Sequence, residues 1–411
     1  MEKDTYLILR VTAAGGEAYD PLSTYDWRSA KSAESAPALE YQVEAQTLDQ
    51  QDYREARNDR QVAAIARPMP LRLIEPVAAP EPSAAPEHLH GATWGVFVTG
   101  ALQSPYVGHG VTAAVLDTGI DADHEAFHGV ELIQKDFTGE GDGDEDGHGT
   151  HVAGTIFGQA VQGLRYGVAP GVRRALVGKV LGTQHSATTQ ELVDAIQWAV
   201  DQGAHVINMS LGFDFPGLVQ WWTEERSMPV DLATSRALAQ YRDNVRLFDR
   251  LVELLRARAA HREDPIPGGL IIAAAGNESK RHVRPDYAIE VAPPAAADGI
   301  VAVAALQSAG SPHNALTVAP FSNVGAVVAG PGVGVYSARK GGGYTYLDGT
   351  SMASPHVTGV AALWAERQLQ RRGTVDISAL DAQLRGNARR DRLPAADYLD
   401  VGEGLATAPL D

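Results

Sequence analysis

The chain of 411 residues contains no cysteine, which excludes disulfide bonds, thiol catalysis and cysteine-ligated zinc. It also lacks a long hydrophobic run, since no stretch approaches the ~18 apolar residues of a membrane span. Basic residues are few, 34 against 51 acidic ones, and the net charge of -17 argues against nucleic acid or an anionic membrane as a partner. The apolar run Tyr6-Leu7-Ile8-Leu9 is too short for a secretory signal. We therefore expect a soluble, cytoplasmic protein, with export by another route left open.

Two regions of different character are joined by a segment rich in proline and alanine. Residues 1–76 show strand, strand, helix and strand patterns in that order, which predicts a small α+β domain. Residues 77–92 have the composition of a semi-rigid, exposed linker. Residues 93–411 alternate apolar strands with amphipathic helices. This alternation predicts an α/β fold, a mostly parallel sheet with helices on both faces.

Local patterns predict several elements of the larger region. Residues 188–202 are expected to form a helix, because Thr188 and Glu191 can form a capping box and Gly203 can end it. Residues 204–211 and 270–275 are expected to be buried strands. A helix is also expected to begin at Ser351.

Three short motifs each carry one residue type of a nucleophilic triad. A serine hydroxyl is a weak nucleophile, and it needs an imidazole to take its proton and a carboxylate to orient that imidazole. Asp117 ends an apolar strand, His148 lies between two glycines, and Ser351 lies at the start of a helix. The motifs are Val115-Leu116-Asp117-Thr118-Gly119, Asp146-Gly147-His148-Gly149-Thr150-His151 and Asp348-Gly349-Thr350-Ser351-Met352-Ala353-Ser354-Pro355.

Together with Ala274-Ala275-Gly276-Asn277, these motifs resemble those of the subtilisin-like serine proteases, from about Trp94 to Ala408. Their order along the chain, Asp then His then Ser, is that of subtilisin. The resemblance implies that Asp117 orients His148 and that His148 acts as general base and then general acid for Ser351. It also implies that Asn277 stabilises the oxyanion beside the Ser351 main-chain amide.

The resemblance implies a substrate-binding strand as well. Ser210, Leu211 and Gly212 would bind a peptide as an added antiparallel strand, and Gly276 would line the pocket for the residue before the cleaved bond. His151, one helical turn after His148, is interpreted as structural.

The order of elements in residues 1–76 resembles the inhibitory propeptide of the same family. This implies an N-terminal domain that acts as intramolecular inhibitor and chaperone, with cleavage expected between Pro76 and Trp94. An unrelated small α+β domain is the alternative.

The expected function is a serine endopeptidase that works through an acyl-enzyme on peptide or protein substrates and processes its own N-terminal region. A transpeptidase, a macrocyclase or a processor of one peptide precursor would use the same chemistry. A catalytically inactive binding module is the third possibility. No cofactor or metal site is predicted: calcium is possible at the acidic run between Asp136 and Asp146, but a solvated acidic loop is the favoured interpretation.

An insertion at about residues 213–268 separates Gly212 from Asn277 by more residues than the family core needs. It includes a long helical stretch from Asp231 to about His261. Its expected apolar face consists of Leu238, Tyr241, Val245, Phe248, Val252 and Leu255. A flap over the substrate cleft and an extra helical layer or oligomer contact are both compatible with this pattern.

Overall fold

A computed structural model describes residues 3–13, 39–77, 90–183, 187–260, 268–308 and 315–411. The strands are β1 (Asp4–Ala13), β2 (Leu39–Leu48), β3 (Val62–Ala66), β4 (Pro70–Leu73), β5 (Thr112–Asp117), β6 (Glu131–Asp136), β7 (Arg174–Lys179), β8 (Ala187–Thr188), β9 (Val206–Met209), β10 (Leu211–Phe213), β11 (Leu270–Ala274), β12 (Val301–Ser308), β13 (Leu316–Val318), β14 (Val328–Pro331), β15 (Val335–Ala338) and β16 (Tyr344–Leu347). The helices are α1 (Gln50–Asn58), α2 (Trp94–Val98), α3 (His148–Phe157), α4 (Thr189–Asp201), α5 (Phe215–Glu224), α6 (Val230–Ala260), α7 (Thr350–Arg372), α8 (Ile377–Gly386) and α9 (Tyr398–Val401). Among these helices, none is both long and apolar enough to cross a lipid bilayer.

The larger part of the protein is built on a sheet of eight described strands in the order β13-β12-β11-β9-β5-β7-β6, with β14 paired to β12. The strand pairs are parallel apart from β12 and β13. Alternate residues of β5 enter two hydrophobic clusters: Ala113 and Val115 pack with residues of α3 and α7, and Ala114 and Leu116 with residues of α4 and α6. Because alternate residues of β5 face opposite sides of the sheet, helices pack on both of its faces. The predicted α/β class is therefore confirmed.

Helix α4 begins where the sequence predicts. Thr188 is its N-cap, and the capping box with Glu191 is present. The predicted strand over residues 204–211 was wrong in its extent. Strand β9 ends at Met209, and β10 starts at Leu211 in a different sheet, because β10 pairs with β4 from the N-terminal part of the chain. Hydrophobicity alone does not distinguish one buried strand from two that change sheets.

The described residues of the N-terminal part form a three-stranded antiparallel sheet in the order β2-β1-β3, with α1 on one face. We call residues 3–66 the N-terminal unit. Tyr6 and Ile8 of β1 pack with Ala56 of α1, whereas Leu7 and Leu9 join the hydrophobic cluster that contains α4 and α6. Each face of β1 therefore packs against a different layer. The linker predicted over residues 77–92 lies mostly outside the described residues, which omit 78–89.

The insertion contains α5 and α6, and residues 261–267 lie outside the described part of the chain. Helix α6 packs against β3 and β2, so it forms a layer that carries the N-terminal unit. The predicted apolar face was wrong at Leu238, which is 58% exposed, while Phe248, Val252 and Leu255 are buried. At this end two of the buried positions are polar, Gln240 and Asn244, and their side chains hydrogen-bond to the main-chain carbonyls of Pro68 and Arg67. A hydrophobic pattern cannot reveal such a face.

Asn244 joins α6 to α4 and to the segment before β4. Its side-chain oxygen accepts a hydrogen bond from Thr189 Oγ1 at 2.6 Å, and its Nδ2 donates to the Arg67 carbonyl at 2.7 Å. Thr189 Oγ1 in turn accepts from the Met69 main-chain N–H at 2.9 Å. The network therefore fixes the path of residues 67–69 as they approach β4.

We expect Asn244→Ala to lower the free energy of unfolding by about 1–3 kcal/mol, because it removes a buried donor and leaves the Arg67 carbonyl without it. Hydrogen exchange of residues 67–73 should also become faster. The matched control is Leu238→Ala on the exposed side of the same helix, which should change stability by less than about 0.5 kcal/mol. Equal urea midpoints for the two variants would contradict this role of Asn244.

Candidate active site

Asp117 and His148 form a buried pair at the carboxyl edge of the parallel sheet. Asp117 is the last residue of β5, and His148 is the first residue of α3 after Gly147, whose φ of 104° makes the sharp entry into the helix. His148 Nδ1 and Asp117 Oδ1 lie 2.7 Å apart, and both side chains are almost completely buried. When Nδ1 carries the proton and donates a hydrogen bond to Asp117 Oδ1, the Nε2 lone pair of the neutral ring can accept a proton.

Opposing influences set the pKa of His148. Burial by itself lowers the pKa of the imidazole, but the Asp117 carboxylate, through its charge and its hydrogen bond, raises it, as do the charges of Asp146 and Asp144. The net result is a pKa above the ordinary value for histidine. His151 differs, since burial lowers its pKa to about 3, and its Nε2 hydrogen-bonds to the Val335 carbonyl at 3.1 Å. This agrees with a structural role.

Asp144 connects the end of β5 to the start of α3. Its buried carboxylate accepts hydrogen bonds from Thr118 Oγ1 at 2.9 Å, from the main-chain N–H of Gly147 at 2.7 Å and from that of Thr150 at 2.8 Å. Thr118 Oγ1 accepts in turn from the main-chain N–H of Gly149 at 2.9 Å. Asp144 therefore holds the segments that carry Asp117 and His148 together.

The interpretation of a solvated acidic loop was wrong for Asp144, whose buried carboxylate accepts hydrogen bonds from main-chain N–H groups. Asp136 likewise accepts from the main-chain N–H groups of Thr138 and Gly141, both at 2.7 Å. Within the described ranges, no group of three or more His, Asp or Glu side chains could hold a metal ion. In the sequence, Asp144 is marked by its position four residues before His148.

Ser351 is the second residue of α7 and is completely buried. Its hydroxyl donates a hydrogen bond to the main-chain carbonyl of Ile74 at 2.9 Å. A hydroxyl has one proton, so Nε2 of His148 receives none from Ser351 in this arrangement. Nε2 is buried without a hydrogen-bond partner in the part of the chain that the structure describes.

Asn277 lies beside Ser351 and is held by the residue before it. Its Oδ1 accepts hydrogen bonds from the main-chain N–H of Thr350 at 2.9 Å and from Thr350 Oγ1 at 2.8 Å. Its Nδ2 is thereby turned the other way and donates to the carbonyl of Glu75 at 2.8 Å. The main-chain N–H of Gly276 donates to Thr350 Oγ1 at 3.1 Å. Thr350 was not among the predicted site residues, and its signal in the sequence is its place directly before Ser351.

The strand predicted to bind substrate is occupied by the chain itself. Strand β4 lies between β10 and β8 as the middle strand of an antiparallel sheet. Leu73 is opposite Leu211 and Arg72 opposite Gly212, and the Ile74 main-chain N–H donates to the Ser210 carbonyl at 3.3 Å. Strand β4 is thus followed directly by Ile74, whose carbonyl contacts Ser351. It pairs with the residues that were expected to bind a peptide, Ser210 to Gly212.

A profile described as "Subtilase family" matches residues 108–382. The chain belongs to the subtilase family. It is 35% identical over 264 residues to "Subtilisin DY" of Bacillus licheniformis, an alignment that covers 63% of this chain and 77% of that protein. It is 34% identical to the "Thermostable alkaline protease" of Halalkalibacterium halodurans over 63% of this chain and 58% of that protein. It is 32% identical to the "Major intracellular serine protease" of Bacillus subtilis over 73% of this chain and 80% of that protein.

Membership confirms the resemblance read from the motifs and makes this subtilase a serine endopeptidase, with peptides or proteins as substrates. The match to the family profile begins at residue 108, so the N-terminal unit and β4 lie outside the matched range. The contacts of Ser351 and Asn277 with Ile74 and Glu75, directly after β4, are therefore a property read from this structure.

Because the pKa of His148 is raised, we expect peptide hydrolysis to be lost as pH falls through a value above the ordinary ~6.5 of imidazole. The neutral ring, which accepts a proton, is the form present above that pKa. Asp117→Asn should lower kcat by about four orders of magnitude, because His148 is no longer held in the tautomer that carries its proton on Nδ1. The pH profile of the residual activity should move to lower pH, because the charge that raises the pKa of His148 is removed. Asp142→Asn, on the exposed acidic loop, is the control. A flat kcat/KM profile from pH 5 to 8 would contradict the assignment of His148.

Proposed function

We propose that this endopeptidase works through Asp117, His148, Ser351 and Asn277. Ser351 Oγ attacks the substrate carbonyl carbon while its proton passes to Nε2 of His148. The same proton then goes to the leaving amine, and water repeats the sequence to release the acyl group. The hydrogen bond between His148 and Asp117 supports this role, because it fixes Nδ1 as donor and leaves Nε2 free to accept. Asn277 Nδ2 and the Ser351 main-chain amide would stabilise the oxyanion.

We further propose that residues 1–74, which include the N-terminal unit and β4, inhibit this site until they are removed. The observation that carries the proposal is the 2.9 Å hydrogen bond from Ser351 Oγ to the Ile74 carbonyl. Ser351 and Asn277 contact two consecutive carbonyls, those of Ile74 and Glu75. Acylation needs the nucleophile and the oxyanion donor at the same carbonyl. The bound segment is therefore held in a register that blocks the cleft without completing the reaction geometry.

The bond after Ile74 is the best candidate for cleavage in cis. Strand pairing ends at Ile74, and its carbonyl already contacts Ser351. The next bond, Glu75–Pro76, ends in a proline nitrogen that carries ring carbons and no proton, which crowds the approach of His148. Cleavage was expected between Pro76 and Trp94, so the favoured bond lies just before that range.

We also propose an intracellular location, because the Bacillus subtilis relative is named an intracellular serine protease.

Ser351→Ala should keep the chain at full length, while the parent chain becomes shorter and acquires Glu75 as its new N-terminus. Intact mass and N-terminal sequencing measure both results. A cut between residues 76 and 94 that also requires Ser351 would support self-processing but would contradict cleavage after Ile74. Parent and variant chains of equal length would contradict self-processing and favour a permanent accessory domain.

Because Ser351 is covered by Ile74, the full-length chain should react slowly with a fluorophosphonate probe and faster after loss of the N-terminal unit. Gly substitution of the two buried side chains of β4, as Leu71→Gly and Leu73→Gly, should speed labelling of the full-length chain about tenfold or more, since each removes apolar contacts from the bound strand. Labelling at one constant rate in all these forms would contradict inhibition by β4. No labelling in any form would identify an inactive protease fold.

A further inference from the structure

Arg72 is the one charged residue of β4, and it points away from the apolar groove that holds its neighbours. Leu71 and Leu73 are each 2% exposed and belong to the hydrophobic cluster of α4 and α6. Successive side chains of a strand alternate between its faces, so Arg72 lies on the opposite side. There its Nη2 lies 2.8 Å from Glu278 Oε1 and its Nη1 lies 3.6 Å from Asp214 Oδ1.

Both carboxylates belong to the catalytic part of the chain and are held there by groups other than Arg72. Asp214 directly follows β10 and caps α5, accepting a hydrogen bond from the Gly217 main-chain N–H at 3.1 Å. Glu278 directly follows Asn277, and its Oε2 accepts from Asn323 Nδ2 at 2.7 Å. Asn323 Oδ1 in turn accepts from the Glu278 main-chain N–H at 3.1 Å. These contacts do not depend on the N-terminal segment, so the two acids stay beside the cleft when β4 leaves.

The contact differs from the other ion pairs of the N-terminal segment. Arg10 pairs with Asp59 and Arg67 with Asp4, so these two pairs stay within one part of the molecule. Arg72 instead reaches across the cleft to side chains that flank the substrate strand on one side and the oxyanion residue on the other. Departure of β4 would leave two carboxylates facing the same space, which favours another cation in the place of the guanidinium.

We propose that Asp214 and Glu278 form a subsite for a basic side chain of the substrate, two residues before the residue whose carbonyl meets Ser351. This inference rests on the proposed function, because it assumes that substrates follow the path of β4. The preferred segment would read apolar, basic, apolar, apolar before the cleaved bond, as Leu71-Arg72-Leu73-Ile74 does. Arginine should be favoured over lysine, because its planar fork can contact two carboxylates at once.

The subsite is partly exposed: 41% of the Arg72 side chain, 31% of Asp214 and 37% of Glu278 is accessible. Exposed ion pairs are weak and screened by salt, so the expected preference is modest. We expect kcat/KM to be roughly fivefold higher for arginine than for glutamine at this position at low ionic strength, with the ratio falling toward one in about 1 M salt.

The test uses quenched fluorescent peptides that carry Leu-X-Leu-Ile before the cleaved bond, with X as Arg, Lys, Gln or Glu. The purified product of the full-length chain is the enzyme. Parent enzyme should rank the peptides Arg, Lys, Gln, Glu. Asp214→Asn and Glu278→Gln keep the hydrogen-bond acceptors that serve Gly217 and Asn323, and each should reduce the advantage of Arg over Gln. Glu278→Lys should reverse the ranking and favour Glu.

The matched control is Glu225→Gln, which removes one carboxylate from the exposed end of α5 and should leave the ranking unchanged. Equal rates for Arg, Gln and Glu peptides with parent enzyme would overturn the subsite while leaving the protease assignment intact. A ranking that Asp214→Asn, Glu278→Gln and Glu278→Lys leave unchanged would also overturn it. Absence of hydrolysis of every peptide, together with no fluorophosphonate labelling, would instead reject the proposed function.

Discussion

The antiparallel pairing of β4 with β10 is the interaction on which the arrangement of the whole chain depends. It places the carbonyls of Ile74 and Glu75 against Ser351 and Asn277, and it fixes where the N-terminal unit must lie. The pairing uses main-chain groups, so it recognises an extended strand whatever its side chains. The side chains of β4 add contacts on both sides of the strand, apolar ones from Leu71 and Leu73 and an ion pair from Arg72 to Glu278.

The pair of Asp117 and His148 requires a second layer of support. A buried carboxylate is stable only when its hydrogen bonds compensate for lost water, and removal of one partner of such a pair costs about 3–5 kcal/mol. Asp117 Oδ1 accepts from both His148 Nδ1 and the Thr118 main-chain N–H. Asp144 then ties Thr118 to the first turn of α3, where main-chain N–H groups and the helix dipole favour a negative charge. The imidazole is thus oriented by two carboxylates, one in contact and one through the main chain.

The sequence allowed most of the elements to be predicted, and the element ends at which the candidate catalytic side chains lie, because those signals are local. The capping box of α4 and the position of Asp117 at a strand end can both be read from a few neighbouring residues. The contact between Ile74 and Ser351 could not, since 277 residues separate the two along the chain. Thr350 and Asp144 were missed for a similar reason: Thr350 contacts the side chain of Asn277, and Asp144 contacts the hydroxyl of Thr118, and both partners are distant along the chain. The polar face of α6 was missed because Gln240 and Asn244 are buried against carbonyls rather than against apolar side chains.

Magnitudes indicate what holds the N-terminal unit on α6. Each fully buried leucine contributes about 1.5–3 kcal/mol, and Leu7 and Leu9 of β1 are completely buried in the cluster that contains Phe248 of α6. The exposed pair of Arg250 with Glu253 on α6 joins residues of the same helix and is worth about 0.2–1 kcal/mol. Arg256 of α6 pairs with Asp381 of α8. Apolar burial therefore supplies affinity, whereas the amides of Gln240 and Asn244 set the position of residues 67–69. A long inserted helix fits both tasks, because one rigid element can carry the apolar surface for the sheet and, two turns away, the polar groups that guide the chain into the cleft.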